Sequence, residues 1–176
     1  MRTTLLAIAA VALLVASCGN LSGGPAAPRP NVIVSAENAP ANIVVGPAVL
    51  DDFVVPATGS VRAVSVRGWR RTLTAGYQSA LPTAGSSGRQ LELISADLSF
   101  APAAVSAQFG TAAVIGAIRF KARLLDATGK ELGSFAGTAQ AREANASASE
   151  AGMTDNASKT VEALYEALAT ELLSKS

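Results

Sequence analysis

The chain has 176 residues, 49% of them hydrophobic and 15% charged, with 14 Lys+Arg against 13 Asp+Glu. That apolar content excludes a disordered charged tail, and the near-neutral balance leaves no overall field to recruit nucleic acid. There is no histidine and only one cysteine, which removes Ser-His-Asp and Cys-His catalysis, His- or Cys-rich metal sites and any intrachain disulfide.

In chain order, residues 1–17 read as a signal peptide rather than as part of a fold. Arg2 supplies a positive start, and residues 5–15 are an unbroken apolar run. The run is too short for a bilayer core, which takes about 20 apolar residues, but suits a signal-peptide apolar region. It ends in Val15-Ala16-Ser17-Cys18. This segment resembles the bacterial lipobox, in which a branched residue and two small ones precede a cysteine. The small side chains of Ala16 and Ser17 let a peptidase approach the backbone. The resemblance implies that the Cys18 thiol takes a diacylglyceryl group before cleavage and that the freed amine is then acylated. Several acyl chains hold far better than one, each buried methylene contributing about 0.8 kcal/mol. The competing reading is an uncleaved anchor or an ordinary secretory signal with an incidental cysteine; the placement of the lone cysteine favours lipidation.

Gly19 follows, where the enterobacterial sorting pattern that this resembles uses aspartate for inner-membrane retention. The implied location is the periplasmic face of the outer membrane in preference to the inner membrane. Cleavage would leave 159 residues with 13 positive and 13 negative side chains, because Arg2 is lost. Residues 18–31 then form a lipidated N-terminus and a linker, since 19–31 (GNLSGGPAAPRPN) are rich in Gly, Pro, Ser and Asn without apolar periodicity. Such a tether has the reach to lift a domain clear of the headgroups. Residues 32–176 are expected to form one domain.

Within that domain the β-branched residues 32–34 and 43–49 predict strands, the second broken by Gly46-Pro47. Asp51-Asp52 closes it, and residues 53–55 are expected to continue it after a bulge. A helix is predicted over 67–81, where Trp69, Leu73, Tyr77 and Leu81 recur every four residues and Pro82 ends the run. Gly76 weakens it by roughly 0.8–1 kcal/mol relative to alanine. Arg67, Arg70 and Arg71 gather at its start, the unfavourable end of the helix dipole, so they are expected to be partnered or used.

Three strands are predicted next. In 91–100, Ile94, Ala96, Leu98 and Phe100 alternate, while Leu91 and Leu93 are out of phase, which suggests a bulge. In 114–125, Ile118, Phe120, Ala122 and Leu124 point one way and Arg119, Lys121 and Arg123 the other. The run Asp126-Ala127-Thr128-Gly129-Lys130 reads as a hairpin turn, and 131–141 as its partner strand. Residues 143–155 read as a loop or frayed helix start, with Asn156 or Ser158 capping a last helix. Val161, Leu164, Tyr165, Leu168 and Leu172 form its apolar stripe, and Glu162, Glu166 and Glu171 its wet side.

The order β-α-β-β-β-α predicts an α+β, two-layer sandwich: one mainly antiparallel sheet with two helices on one face. Arg119, Lys121 and Arg123 would then project from the open face. Residues 62–123 carry eight positive and two negative side chains, a net of +6, whereas 126–176 carry four and eight, a net of −4. The stripe is therefore a candidate docking face for anionic lipid headgroups or an acidic partner. Against it stands an ordinary solvated face, its charges partly paired with Glu131 and Glu143. Gly85-Ser86-Ser87-Gly88 lacks the lysine of a phosphate loop and reads as a flexible loop. Asp51-Asp52 has no partner acids at ligand spacing and reads as a turn or strand cap. Trp69 and Tyr77 read as core rather than as a ligand-stacking pair.

The lipobox, the linker and the small βαβββα domain together resemble the periplasmic auxiliary lipoproteins of Gram-negative bacteria, among them the ABC-transporter auxiliary and lipopolysaccharide-assembly types. That resemblance of architecture and length implies a non-catalytic binding or scaffold subunit of an envelope transport or assembly system. The alternative is an envelope structural or stress lipoprotein contacting peptidoglycan or another protein. An enzyme would need a site built from Asp, Glu, Arg and Ser alone. No catalytic residue, metal or cofactor is expected, and no nucleic-acid partner.

Overall fold

The computed structural model describes residues 19–20, 42–80, 88–103, 113–143 and 150–174. The expected strand at 32–34, Leu81 and most of the 85–88 loop lie outside these residues, as does Cys18. The elements are β1 (Gly19–Asn20), β2 (Asn42–Val45), β3 (Phe53–Val55), β4 (Val64–Val66), α1 (Trp69–Ala80), β5 (Gln90–Ala103), β6 (Ala113–Leu125), β7 (Glu131–Glu143) and α2 (Glu150–Ser174). The fold is α+β, with two helices and mostly antiparallel strands.

The long strands form as their alternation dictates. β5 pairs antiparallel with β6 over its full length, and β6 with β7 through the Asp126–Lys130 turn. Gly129 adopts φ 83° there, a left-handed conformation that glycine alone takes freely. The Asp126 carboxylate accepts hydrogen bonds from the backbone N–H groups of Thr128 (2.8 Å) and Lys130 (3.0 Å) and from the Thr128 hydroxyl (2.6 Å). The register of β5 against β6 shifts between Leu93 and Ser95. This bulge puts Leu91 and Leu93 on the same buried face as Ala96, Leu98 and Phe100, so the out-of-phase residues and the alternating ones serve one core. Ile94 is the extra residue that absorbs the change of phase.

One sheet was expected, but the chain makes two. β2-β5-β6-β7 is four-stranded, and β1-β4-β3 is a separate three-stranded sheet. β2 pairs parallel with β5 only from Asn42 to Val45, opposite Gln90 to Leu93. Gly46 then donates to the Leu93 carbonyl at 2.8 Å and the chain turns away. Hence β3 does not prolong β2 through a bulge; it pairs antiparallel with β4, Val54 opposite Ser65. β4 is only three residues long, too short for alternation to distinguish it from a loop. Gly19–Asn20, the first residues of the expected linker, pair parallel with Val64–Ser65.

Both helices cover one face of the four-stranded sheet. α1 begins at Trp69 rather than Arg67 and buries Trp69, Leu73 and Tyr77. Trp69 donates from Nε1 to the Ala96 carbonyl at 3.0 Å and meets Phe53 edge to face, ring centroids 6.1 Å apart. The Tyr165 hydroxyl donates to the Leu73 carbonyl, and Tyr165 meets Tyr77 edge to face, which joins the two helices. Burial pushes both phenols well above their usual range. These aromatics are core, as their helical spacing suggested.

The start of α2 corrects the expected cap. The helix begins at Glu150, and Asn156 lies inside it, fully buried. Its side-chain amide donates to the Val114 carbonyl at 3.0 Å, and the Thr160 hydroxyl donates to the Asn156 carbonyl at 2.7 Å. A Cβ added at Gly116 would collide with the Asn156 and Thr160 side chains. Glycine therefore permits α2 to lie close against β6. The buried stripe starts at Met153 and Ala157 and runs through Val161, Leu164, Tyr165 and Leu168. The two polar residues interrupt its apolar signature without leaving the buried face.

Candidate docking face

The opposite face of the four-stranded sheet is set by the same alternation that fills the core. Residues between the buried positions of β6 must project outward, and Arg119, Lys121 and Arg123 do so together. The register sorts their neighbours into rows across β5, β6 and β7. Glu92, Arg123 and Ser134 form one row; Ser95, Lys121 and Ala136 the next; Asp97, Arg119 and Thr138 the third; Ser99, Ala117 and Gln140 the fourth.

The three cations differ in circumstance. Arg123 is half-buried and donates from Nε to Glu92 Oε2 at 2.7 Å. That hydrogen bond and the carboxylate's charge raise the guanidinium's pKa further above its ordinary value, with Glu131 adding a weaker through-space contribution. The principal partner is thus the cross-strand Glu92, which the sequence pattern did not pair with it. Strand register brings the two side chains together although they are 31 positions apart. Arg119 and Lys121 are exposed, and among the described residues neither makes an ion pair, even though Asp97 stands directly across from Arg119. Two of the three predicted docking residues therefore keep their charge for solvent or a ligand.

Arg119 borders an open trough of about 440 Å³ lined by Asp97, Ser99, Ala117, Thr138 and Gln140, with Leu98 at its margin. Its floor is small because Ala117 sits in the middle strand between Ser99 and Gln140. Its walls offer a guanidinium, a carboxylate, two hydroxyls and an amide. That inventory can hold a ligand by hydrogen bonds and charge, and it holds no nucleophile paired with a base.

Asp51 and Asp52 act elsewhere. The Asp51 carboxylate accepts from the Arg70 backbone N–H at 2.9 Å and its carbonyl from the Trp69 N–H at 2.9 Å, while the Asp52 carboxylate accepts from the Gly68 N–H at 3.0 Å. The pair caps α1 from a loop outside the helix, so the reading as a strand cap is corrected to a helix cap. Of the arginines at the helix start, Arg70 donates to the Val45 carbonyl at 2.6 Å. Sequence periodicity contains no trace of this arrangement, because cap and helix are brought together by the antiparallel pairing of β3 with β4, Phe53 opposite Val66. Among the described residues no group of three or more His, Cys, Asp or Glu is placed to hold a metal ion. None of the described helices is long and apolar enough to cross a membrane.

The chain matches no family model and no curated protein. Among solved structures it is similar to the crystal structure of a Xanthomonas campestris protein of the DUF330 family, with 12% sequence identity and a TM-score of 0.49, over 86% of this chain and 92% of that one.

Proposed function

We propose that the protein is a non-catalytic lipoprotein of the Gram-negative envelope. Cys18 anchors it to the outer membrane, and the open sheet face docks an acidic partner within a transport or assembly system. The observation that carries the anchoring is the position of the only cysteine, directly after Val15-Ala16-Ser17 at the end of an apolar run. What supports docking is the contrast between Arg123, which is neutralised by Glu92, and Arg119 and Lys121, which are exposed beside the trough.

Two measurements test this reading. Cys18→Ser should abolish incorporation of radioactive palmitate and leave an uncleaved precursor; labelling that persists in the variant rejects the anchor. Arg119→Glu combined with Lys121→Glu should remove the partner recovered by crosslinking from intact envelopes, while the folded domain melts as before. Unaltered recovery rejects the docking face. Recovery of peptidoglycan in place of an acidic protein would turn the function toward a structural lipoprotein.

A further inference from the structure

The small sheet stands in a particular relation to the chain that precedes it. Gly19 and Asn20 pair with Val64 and Ser65, and Cys18 is joined to Gly19 by one peptide bond, with Cα atoms about 3.8 Å apart. An acyl group on Cys18 therefore begins at the edge of the β1-β4-β3 sheet. The slack that 19–31 were expected to provide is missing from its first two residues. The remaining linker residues follow β1 in the chain and so do not separate it from Cys18.

Register separates the faces of this sheet. Gly19, Val64 and Val55 share one, and Val64 and Val55 are buried there in the core. Ser65 and Val54 share the other, and Val54 is 58% exposed. Leu50, just before β3, is 64% exposed. These two are the most exposed large apolar side chains among the described residues; Val54 lies on the sheet that carries β1, whereas Leu50 borders a hollow with Phe53, Ala96, Asp97 and Leu98. Arg62 and Arg67 bracket β4, both exposed and neither paired with a described residue. The nearest acids in sequence, Asp51 and Asp52, are committed to the N-terminus of α1. An exposed apolar side chain with a cationic border suits an anionic bilayer surface, where the former enters the headgroup boundary and the latter meets phosphates.

We propose that the outward face of the β1-β4-β3 sheet rests on the phospholipid surface, with Val54 at the headgroup boundary and Arg62 and Arg67 at the phosphates. The proposal rests on the anchoring reading and adds an orientation to it: the domain lies against the membrane instead of floating above it.

The acylated full-length protein offers a clean test, because lipidation consumes its only thiol. A cysteine introduced as Val54→Cys, or as Leu132→Cys on β7, can then carry a single environment-sensitive fluorophore. The labelled proteins are reconstituted in phosphatidylethanolamine–phosphatidylglycerol vesicles containing headgroup-nitroxide lipid. Quenching at position 54 should exceed that at 132 several-fold, and Arg62→Glu with Arg67→Glu should reduce the difference. Equal quenching at both positions, or none at either, in protein that still floats with the vesicles overturns the docking while leaving the anchor intact. Loss of flotation together with an unmodified N-terminal peptide mass overturns the anchor, and the docking with it. Ser65→Cys, on the same face directly opposite Val54, supplies a second reporter should Val54→Cys fail to fold.

Discussion

The two faces of the four-stranded sheet are built from the same strands yet answer to different constraints. On the covered face, Leu91, Leu93, Ile118 and Ala122 are fully buried, and even an absent side chain matters, because Gly116 makes room for Asn156 and Thr160. On the open face, Arg119 and Lys121 stand without ion-pair partners among the described residues, and Ser99, Ala117 and Thr138 border a trough that nothing described fills. Close packing leaves the first face little freedom to change, since voids and overlaps both cost free energy. Solvent screens the second and leaves its residues available for recognition. Adjacent positions in one strand can therefore differ sharply in what they tolerate.

That contrast is open to direct attack. Leu93→Ala should show the largest effect, a loss of about 3 kcal/mol from the cavity left at a fully buried site. A loss well under 1 kcal/mol in urea denaturation would mean that the covered face is not close-packed. Gly116→Ala should follow, at about 2 kcal/mol, as its new methyl group displaces the Asn156 and Thr160 side chains. Its neighbour in sequence, Ala117→Ser on the open face, should stay within about 0.5 kcal/mol of the parent. Similar losses at 116 and 117 would erase the distinction between the faces. Next comes Asp51→Ala, which removes one of the two carboxylates capping α1 and should cost about 1 kcal/mol.

The smallest effect is a pH dependence at the hairpin. The Thr128 hydroxyl, with the backbone N–H groups of Lys130 and Thr128, holds the Asp126 carboxyl below its ordinary value of 3.8. A carboxyl whose pKa is lower in the folded state stabilises the fold at pH above the ordinary value, and that contribution is lost as pH falls through the lowered one. Asp126→Asn should therefore melt below the parent at pH 6, and the gap in melting temperature should close as the pH falls below the ordinary carboxyl value of 3.8. A gap that stays constant across this range would mean that the turn depends on hydrogen-bond geometry and not on charge.

Much of this architecture was legible from local pattern. β6 reads directly from its alternation, the β6–β7 hairpin from Asp126 to Lys130, and α1 from Trp69, Leu73 and Tyr77, because each signal repeats within a few residues. The outward stripe of Arg119, Lys121 and Arg123 followed from the same alternation. Other features lacked a repeating signal. Asn156 looks like a helix cap because asparagine favours caps, yet buried polar groups are stable wherever a partner is supplied, and here the Val114 carbonyl of β6, the strand beneath the helix, supplies one. The small sheet joins strands of two, three and three residues, each too brief for periodicity to register.

The amino-acid order alone determined the α+β class, the inward and outward sides of the long strands and the candidate anchor at Cys18. All of these depend on the kind and spacing of neighbouring residues, which chain geometry converts into faces. Tertiary structure decided which charges would be neutralised, by placing Glu92 against Arg123 and leaving Arg119 exposed. It also assigned Asp51 and Asp52 to a helix they do not belong to, and Gly116 to a contact with α2. These relations join residues distant in sequence, and their strength depends on separation in space, which folding alone establishes.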